Sequence, residues 1–358
     1  MSVPRVTFDE LYRRSSQYRL WSYTREELQA KREAVNNKGC LKVDERLKQL
    51  NGEVSEDLIT KVTVEEELKL ISFNSRRIGM LAKHLNLPSQ VRATAVSFLR
   101  KFYLVNSVME YHPKLVLLTC LFLAAKSENS FISINSFSKR IPKTTPESIL
   151  KLEFEVLQSL KFTLFVHHPF RPLYGFFYDL QDVLGDEFTI EELGRVYDKA
   201  RKLIDEALIS DAVFHFTPPQ IALACFKSIK PELVDRYLEK KFKKESKSKV
   251  KVAEAIKEEQ DEGEVQDQDQ DPAKASANTE AKPKKIDLYQ ELSRTVEECT
   301  AMIRTTQNPT KEEATDIDRK VHYCISPSLV LKRKREDTSE PSGDDTKRQR
   351  TETPATPM

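Results

Sequence analysis

The sequence predicts an all-α protein built from a tandemly duplicated helical unit, with further helices before and after it. Three observations predict this. Apolar residues recur at helical spacing along most of the chain, and the apolar–polar alternation of half-buried strands is hard to find anywhere. Glycine is scarce, at 8 of 358 residues, and charged residues make up 32%. A short apolar helix opened by proline occurs twice, at an offset of roughly 100 residues, which is the mark of an internal repeat.

The first of these two helices organises the rest. In Leu115–Lys126, LVLLTCLFLAAK, apolar side chains fall at every angle around a helix axis, so the segment has to be buried on all sides. It is far shorter than the roughly 20 residues needed to cross a bilayer. No membrane span is expected.

Residues 1–23 carry scattered aromatics (Phe8, Tyr12, Tyr18, Trp21, Tyr23) without a clear period, which predicts a segment docked on the body. Thr24 with Glu27 forms a capping box, and the spacing predicts a helix over 25–36 stopped by Asn37 to Gly39. Residues 40–60 are then a connection, and 1–60 form an N-terminal segment. Helices follow over 64–85, from Pro88 along Val91, Ala95, Phe98, Phe102 and Val105, through the buried helix, over 133–141, and from Pro146 to about Phe162. Together these make a compact five-helix unit over 61–164.

The pattern resumes at 165 with the segments 169–184, 189–210, 217–229 and 231–242, in which Ile221 to Cys225 echo the buried run of the first unit. Residues 243–285 switch to Lys, Glu, Asp, Gln and Ala, a composition that buries too little apolar surface to offset its ordering entropy. A disordered insertion is predicted there. A helix over 286–304 completes the second unit, 165–305. Thr310 with Glu313 caps a C-terminal helix within 306–325, and 326–358 is a polar, basic tail.

The formal net charge of +2 gives no global attraction to nucleic acid or anionic lipid. Five widely spaced cysteines without a C-x-x-C pair suit a reducing compartment, and neither they nor the six histidines have metal-ligand spacing. The N-terminus lacks the apolar stretch of a secretory signal, so an intracellular protein is expected. No phosphate loop or kinase motif is present, so neither catalysis nor a cofactor is expected.

One side chain breaks the pattern. Among Ile149, Leu150, Val156, Leu157 and Leu160, Glu153 falls in the middle of the apolar stripe, where a carboxylate needs a partner. Lys126, at the end of the buried helix, is the nearest plausible cation. A pair reaching the surface there would offer another protein a charge within an apolar surround. Alternatively, Lys126 answers the helix dipole and Glu153 forms an internal pair or reaches water.

Val96–Lys126, Val166–Leu180, Ser210–Ala224 and the N-terminal SSQYRLW, Ser15–Trp21, resemble the cyclin H family, the regulatory subunits of the CDK-activating kinase and of the TFIIH kinase module. The resemblance covers about residues 12–325 apart from the insertion. It implies two cyclin boxes of five helices each, flanked by N- and C-terminal helices. It maps the kinase-contacting lysine and glutamate of cyclins onto Lys126 and Glu153. The partners it implies are a cyclin-dependent kinase, a RING-containing assembly factor and the TFIIH core, with no direct nucleic acid. The implied activity is support for phosphorylation of other kinases' activation loops and of the RNA polymerase II tail. The alternative is a nucleic-acid-binding adaptor like TFIIB, which shares the duplicated fold but begins with a zinc ribbon that this chain lacks.

In the tail, Lys332, Arg333, Lys334 and Arg335 with Lys347, Arg348 and Arg350 look like a bipartite nuclear import signal, which predicts a nuclear protein. Ser326, Thr353 and Thr356 each precede a proline and are candidate sites for proline-directed phosphorylation.

Overall fold

The computed structural model describes residues 8–50, 59–241 and 288–329, and among these every regular element is a helix. Two short N-terminal helices, α1 (Phe8–Arg14) and α2 (Ser16–Trp21), lead into the long α3 (Arg25–Gln49). The first unit contains α4 (Val64–His84), α5 (Ser89–Phe102), α6 (Pro113–Ser127), α7 (Ile134–Lys139) and α8 (Pro146–Ser159). The second contains α9 (Phe170–Leu184), α10 (Ile190–Ile209), the one-turn α11 (Ala212–His215), α12 (Pro218–Ile229), α13 (residues 231–241) and α14 (Leu288–Arg304). A C-terminal helix, α15 (Lys311–Ile325), closes the described chain.

The helix starts are written locally. Thr24, Thr63 and Thr310 each accept a hydrogen bond from the backbone of a glutamate three residues on, whose carboxylate answers the cap's own N–H. Proline opens α6, α8 and α12, where a missing N–H costs nothing.

The all-round apolar run becomes the axis of the first unit. Val116 through Ala125 of α6 are all buried, with α5, α8 and α4 packed around them. In the second unit α12 takes the same place, buried from Ile221 to Lys227 and surrounded by α10, α14 and α9. The repeat in the sequence is thus a repeat of architecture.

Three sequence expectations are corrected. The helix expected to stop at Asn37 to Gly39 continues to Gln49, because Gly39 is a packing position within α3 and not its end. Val105 lies beyond α5, which ends at Phe102. The helix from Pro146 ends at Ser159, after which Lys161 and Phe162 take left-handed backbone conformations at φ 52° and 56°. The expected insertion over 243–285 lies outside the described residues.

The helices at both ends of the described residues pack onto the body. Trp21, 1% exposed, packs with Leu28, Leu104 and Phe214, and its indole N–H donates to Thr163 Oγ1 at 3.0 Å. From α15 the ion pair Lys320–Glu66 reaches α4 at 2.5 Å, and Cys324 accepts through its carbonyl from Arg46 of α3 at 3.1 Å.

Candidate functional site

The apolar stripe of α8 faces the core through Ile149, Val156 and the capping Leu160, all fully buried. Leu150, placed in that stripe by its spacing, is instead 46% exposed, because it stands one residue round the helix from Ile149, toward the rim. Glu153 lies on the same rim, its side chain only 15% exposed. Lys126 reaches it from the last turn of α6, with Nζ to Oε1 at 2.5 Å, while remaining 44% exposed. The two residues named from the sequence therefore meet in the free chain.

The lysine is held from below as well. Its ammonium lies 5.2 Å from the Phe122 ring centroid, and that ring packs on Phe137 of α7 at 5.5 Å. The glutamate neutralises most of the charge while leaving the lysine's outer face in solvent, so a partner acceptor can still approach it.

Exposed aromatic side chains that spacing alone did not identify stand next to Glu153 on α8 and on connections further along the chain. Phe154, 62% exposed, follows Glu153 on α8, and its ring meets that of Phe162, 63% exposed, at 6.4 Å. Phe131, just beyond α6, is 78% exposed, and Phe165, before α9, is 71% exposed. A bulky residue with positive φ is unfavourable, and Phe162 accepts that conformation while its ring stays in water. The exposed Phe154–Phe162 ring pair, at the helix that carries Glu153, makes this rim a candidate protein-binding surface. A signal was available in SILKLEFEVL, where apolar residues occupy more of the helix circumference than one buried stripe needs.

The other candidate residues are not part of this face. Ser326 is the C-cap of α15, half-buried, and the following Pro327 is buried, so a kinase cleft would have to pull the segment away from the body. Thr353, Thr356 and both basic runs, Lys332 to Arg335 and Lys347 to Arg350, lie outside the described residues. Among the described residues no group of three or more ligating side chains could hold a metal ion.

Two tandem helical units, each wrapped around a buried central helix, with a partly exposed ion pair on the rim of the first, are the architecture of a subunit that offers its surface to another protein. Family models for the cyclin N-terminal and C-terminal domains match residues 56–165 and 168–304. The chain is 45% identical over 349 residues to the cyclin CCL1 of Saccharomyces cerevisiae, covering 94% of this chain and 87% of that protein. Among solved structures, it matches a chain of the CAK complex from Chaetomium thermophilum bound to ATP-γ-S. The TM-score is 0.72 and the identity 28%, covering 96% of this chain and all of that one. It also matches a chain of the yeast TFIIK complex of Kin28, Ccl1 and Tfb3, with a TM-score of 0.59 and 37% identity, covering 82% of this chain and all of that one. The chain belongs to the cyclin family, and is a regulatory subunit of a kinase, not itself a catalyst.

Proposed function

We propose that this cyclin binds and activates a cyclin-dependent kinase through the Lys126–Glu153 face, as the regulatory subunit of a CDK-activating kinase module of TFIIH. The observation that carries the docking site is the half-exposed ion pair beside the exposed Leu150 and Phe154 of α8. Likeness to chains of the CAK and TFIIK complexes supports the choice of kinase class. In this reading the first unit, 61–164, packs on the kinase small lobe and holds its regulatory helix inward. The lysine–glutamate pair that positions ATP can then form. Activation is a population shift, limited by how much better the cyclin binds the active form than the inactive one. A RING-containing assembly factor and the TFIIH core complete the module. The basic runs at 332–335 and 347–350 carry it into the nucleus, and Ser326, Thr353 and Thr356 are the candidate sites of proline-directed phosphorylation.

The test is co-purification with candidate kinases, comparing the natural chain with Lys126→Ala/Glu153→Ala beside a thermal melt of each free protein. The pair is a rim feature of the free chain, so its removal should leave the melt within a few degrees. Kinase binding is expected to fall on the order of tenfold to a hundredfold, the scale for truncating a desolvated interfacial charge pair. A variant that melts much lower yet still activates its kinase would place the interface elsewhere.

A further inference from the structure

Two depressions meet on the seam between the units, on a face made by α4, α5 and α10. One, of about 320 Å³, is lined by Gly79, Met80, Lys83 and Arg92 together with Asp205 and Glu206. The second, of about 410 Å³, shares Arg92 and Asp205 and adds Ser89, Phe170, Arg201 and Lys202. The shared residues form an ion pair at 2.5 Å that stands between the two depressions. Arg76, on the wall of the first, pairs with Glu206 at 2.7 Å. Lys83, Arg201 and Lys202 are exposed and make no ion pair among the described residues. Cations therefore exceed carboxylates along the groove, Arg76, Lys83, Arg92, Arg201 and Lys202 facing Asp198, Asp205 and Glu206.

A separate feature points to the same ligand charge. Helix α5, 14 residues long, begins at the second depression with Ser89, and its N-cap is Pro88, which supplies no side-chain hydrogen bond. No acidic residue occupies its first turn. The free amides and the positive end of the helix dipole are left for an anion, beside Arg92, Arg201 and Lys202. At the other end the floor is bare, since a Cβ on Gly79 would meet only Arg92 Cδ, at 3.7 Å. A main chain can lie there, with the exposed Met80 and the half-buried Phe170 available to its apolar side chains.

We infer that this double groove binds an extended, carboxylate-rich segment of a partner protein, with one carboxylate seated at the α5 N-terminus between Arg92, Arg201 and Lys202. The unpaired cations are spread along the groove, which suits a chain bearing several charges better than a single phosphate. The interspersed Asp198, Asp205 and Glu206 repel the unbroken charge of a nucleic-acid backbone, whereas a peptide can place neutral residues opposite them. The groove is built from other helices than the Lys126–Glu153 face, so it can be occupied independently of a kinase.

The test uses the full chain and a fluorescein-labelled oligoglutamate peptide followed by fluorescence anisotropy. Saturable binding is expected at low salt, weakening as screening rises. Arg201→Glu/Lys202→Glu should lose roughly tenfold or more in affinity with an unchanged melt, and Lys83→Glu should weaken binding from the other end. Lys48→Glu on α3 should leave it unaltered. The inference is overturned by the absence of saturable binding, by equal affinity of the double variant, or by equal weakening in Lys48→Glu. Tighter binding of a single-stranded oligonucleotide through Arg201 and Lys202 would also overturn it.

Discussion

Lys101 of α5 is 4% exposed, with its Nζ buried and lacking a hydrogen-bond partner. Its ammonium lies 5.4 Å from the Trp21 ring centroid, which returns part of the lost hydration. Burial pushes its ionisation down to about 7, and pushes that of the neighbouring His168, which lines the same small cavity, down to about 3. In the unfolded chain a lysine titrates near ~10.4. Between about 7 and that value the unfolded chain binds more protons, so stability from this residue rises with pH across the window. Lys101→Met keeps the stem and removes the charge. The variant should melt above the natural chain at neutral pH, and the gap should close as pH approaches ~10. A gap that stays constant with pH would show that the ammonium is not held desolvated. Residues of this kind were only partly legible. Glu153 stood out because helical spacing placed it among apolar side chains, which made a partner obligatory. Lys101 sits in SFLRKFY, where adjacent basic residues read as a solvated face, and it is enclosed by residues distant in sequence, Trp21 from 80 residues upstream and His168 among them.

At the scale of elements, helix starts were readable because threonine, glutamate and proline act within one turn. Ends were less so. Asn37, Lys38 and Gly39 carry the residue types of a helix stop, yet α3 runs ten residues past Gly39. The glycine is there because α3 crosses the α5–α6 connection: an added Cβ would run into Oγ and Cβ of Ser107. Ser107 cannot easily yield, since its hydroxyl donates to the buried Glu67, whose carboxylate also accepts from Val108 N at 3.1 Å. Gly39→Ala therefore separates two accounts. In an open helix it would stabilise by about 1 kcal/mol through propensity. Against a fixed neighbour it should instead cost about 1–3 kcal/mol through overpacking. The second outcome is expected in a thermal melt, and a raised midpoint would mean that Ser107 moves aside freely. The left-handed end of α8 was illegible for a related reason. Lys161 and Phe162 are not residues that favour positive φ, so tertiary placement of the strap before α9 sets it.

At the scale of the whole molecule, the duplicated fold was legible from the two buried helices, but the way its parts are locked together was not. The lock joins residues 179 positions apart. Arg32 of α3 grips Asp211 with both terminal nitrogens, at 2.9 and 2.6 Å, and Arg100 of α5 reaches the same carboxylate at 2.6 Å. Arg100 also lies against the carbonyls of Leu208, Ile209 and Ser210 and 5.0 Å from the Phe214 ring centroid. One carboxylate thus ties the N-terminal helix, the first unit and the α10–α11 turn of the second. Burial alone would raise its ionisation, but the two guanidiniums outweigh that and hold it well below the usual carboxylate range. Its contribution is therefore complete above the unfolded value of ~3.9 and is lost only as pH falls through the depressed folded value. Asp211→Ala leaves two guanidiniums, each over nine-tenths buried, without their counter-ion, and should cost on the order of 3 kcal/mol at neutral pH. Arg25–Glu298, a 3.7 Å pair with side chains 62% and 42% exposed, spans α3 and α14 across open solvent. Its loss in Arg25→Ala should cost under about 0.5 kcal/mol. Calorimetry of the natural chain should show one cooperative transition for the two units, and Asp211→Ala should broaden or split it as the seam loosens. If Asp211→Ala and Arg25→Ala shift the midpoint equally, the units are held by apolar packing and the buried triad adds no coupling.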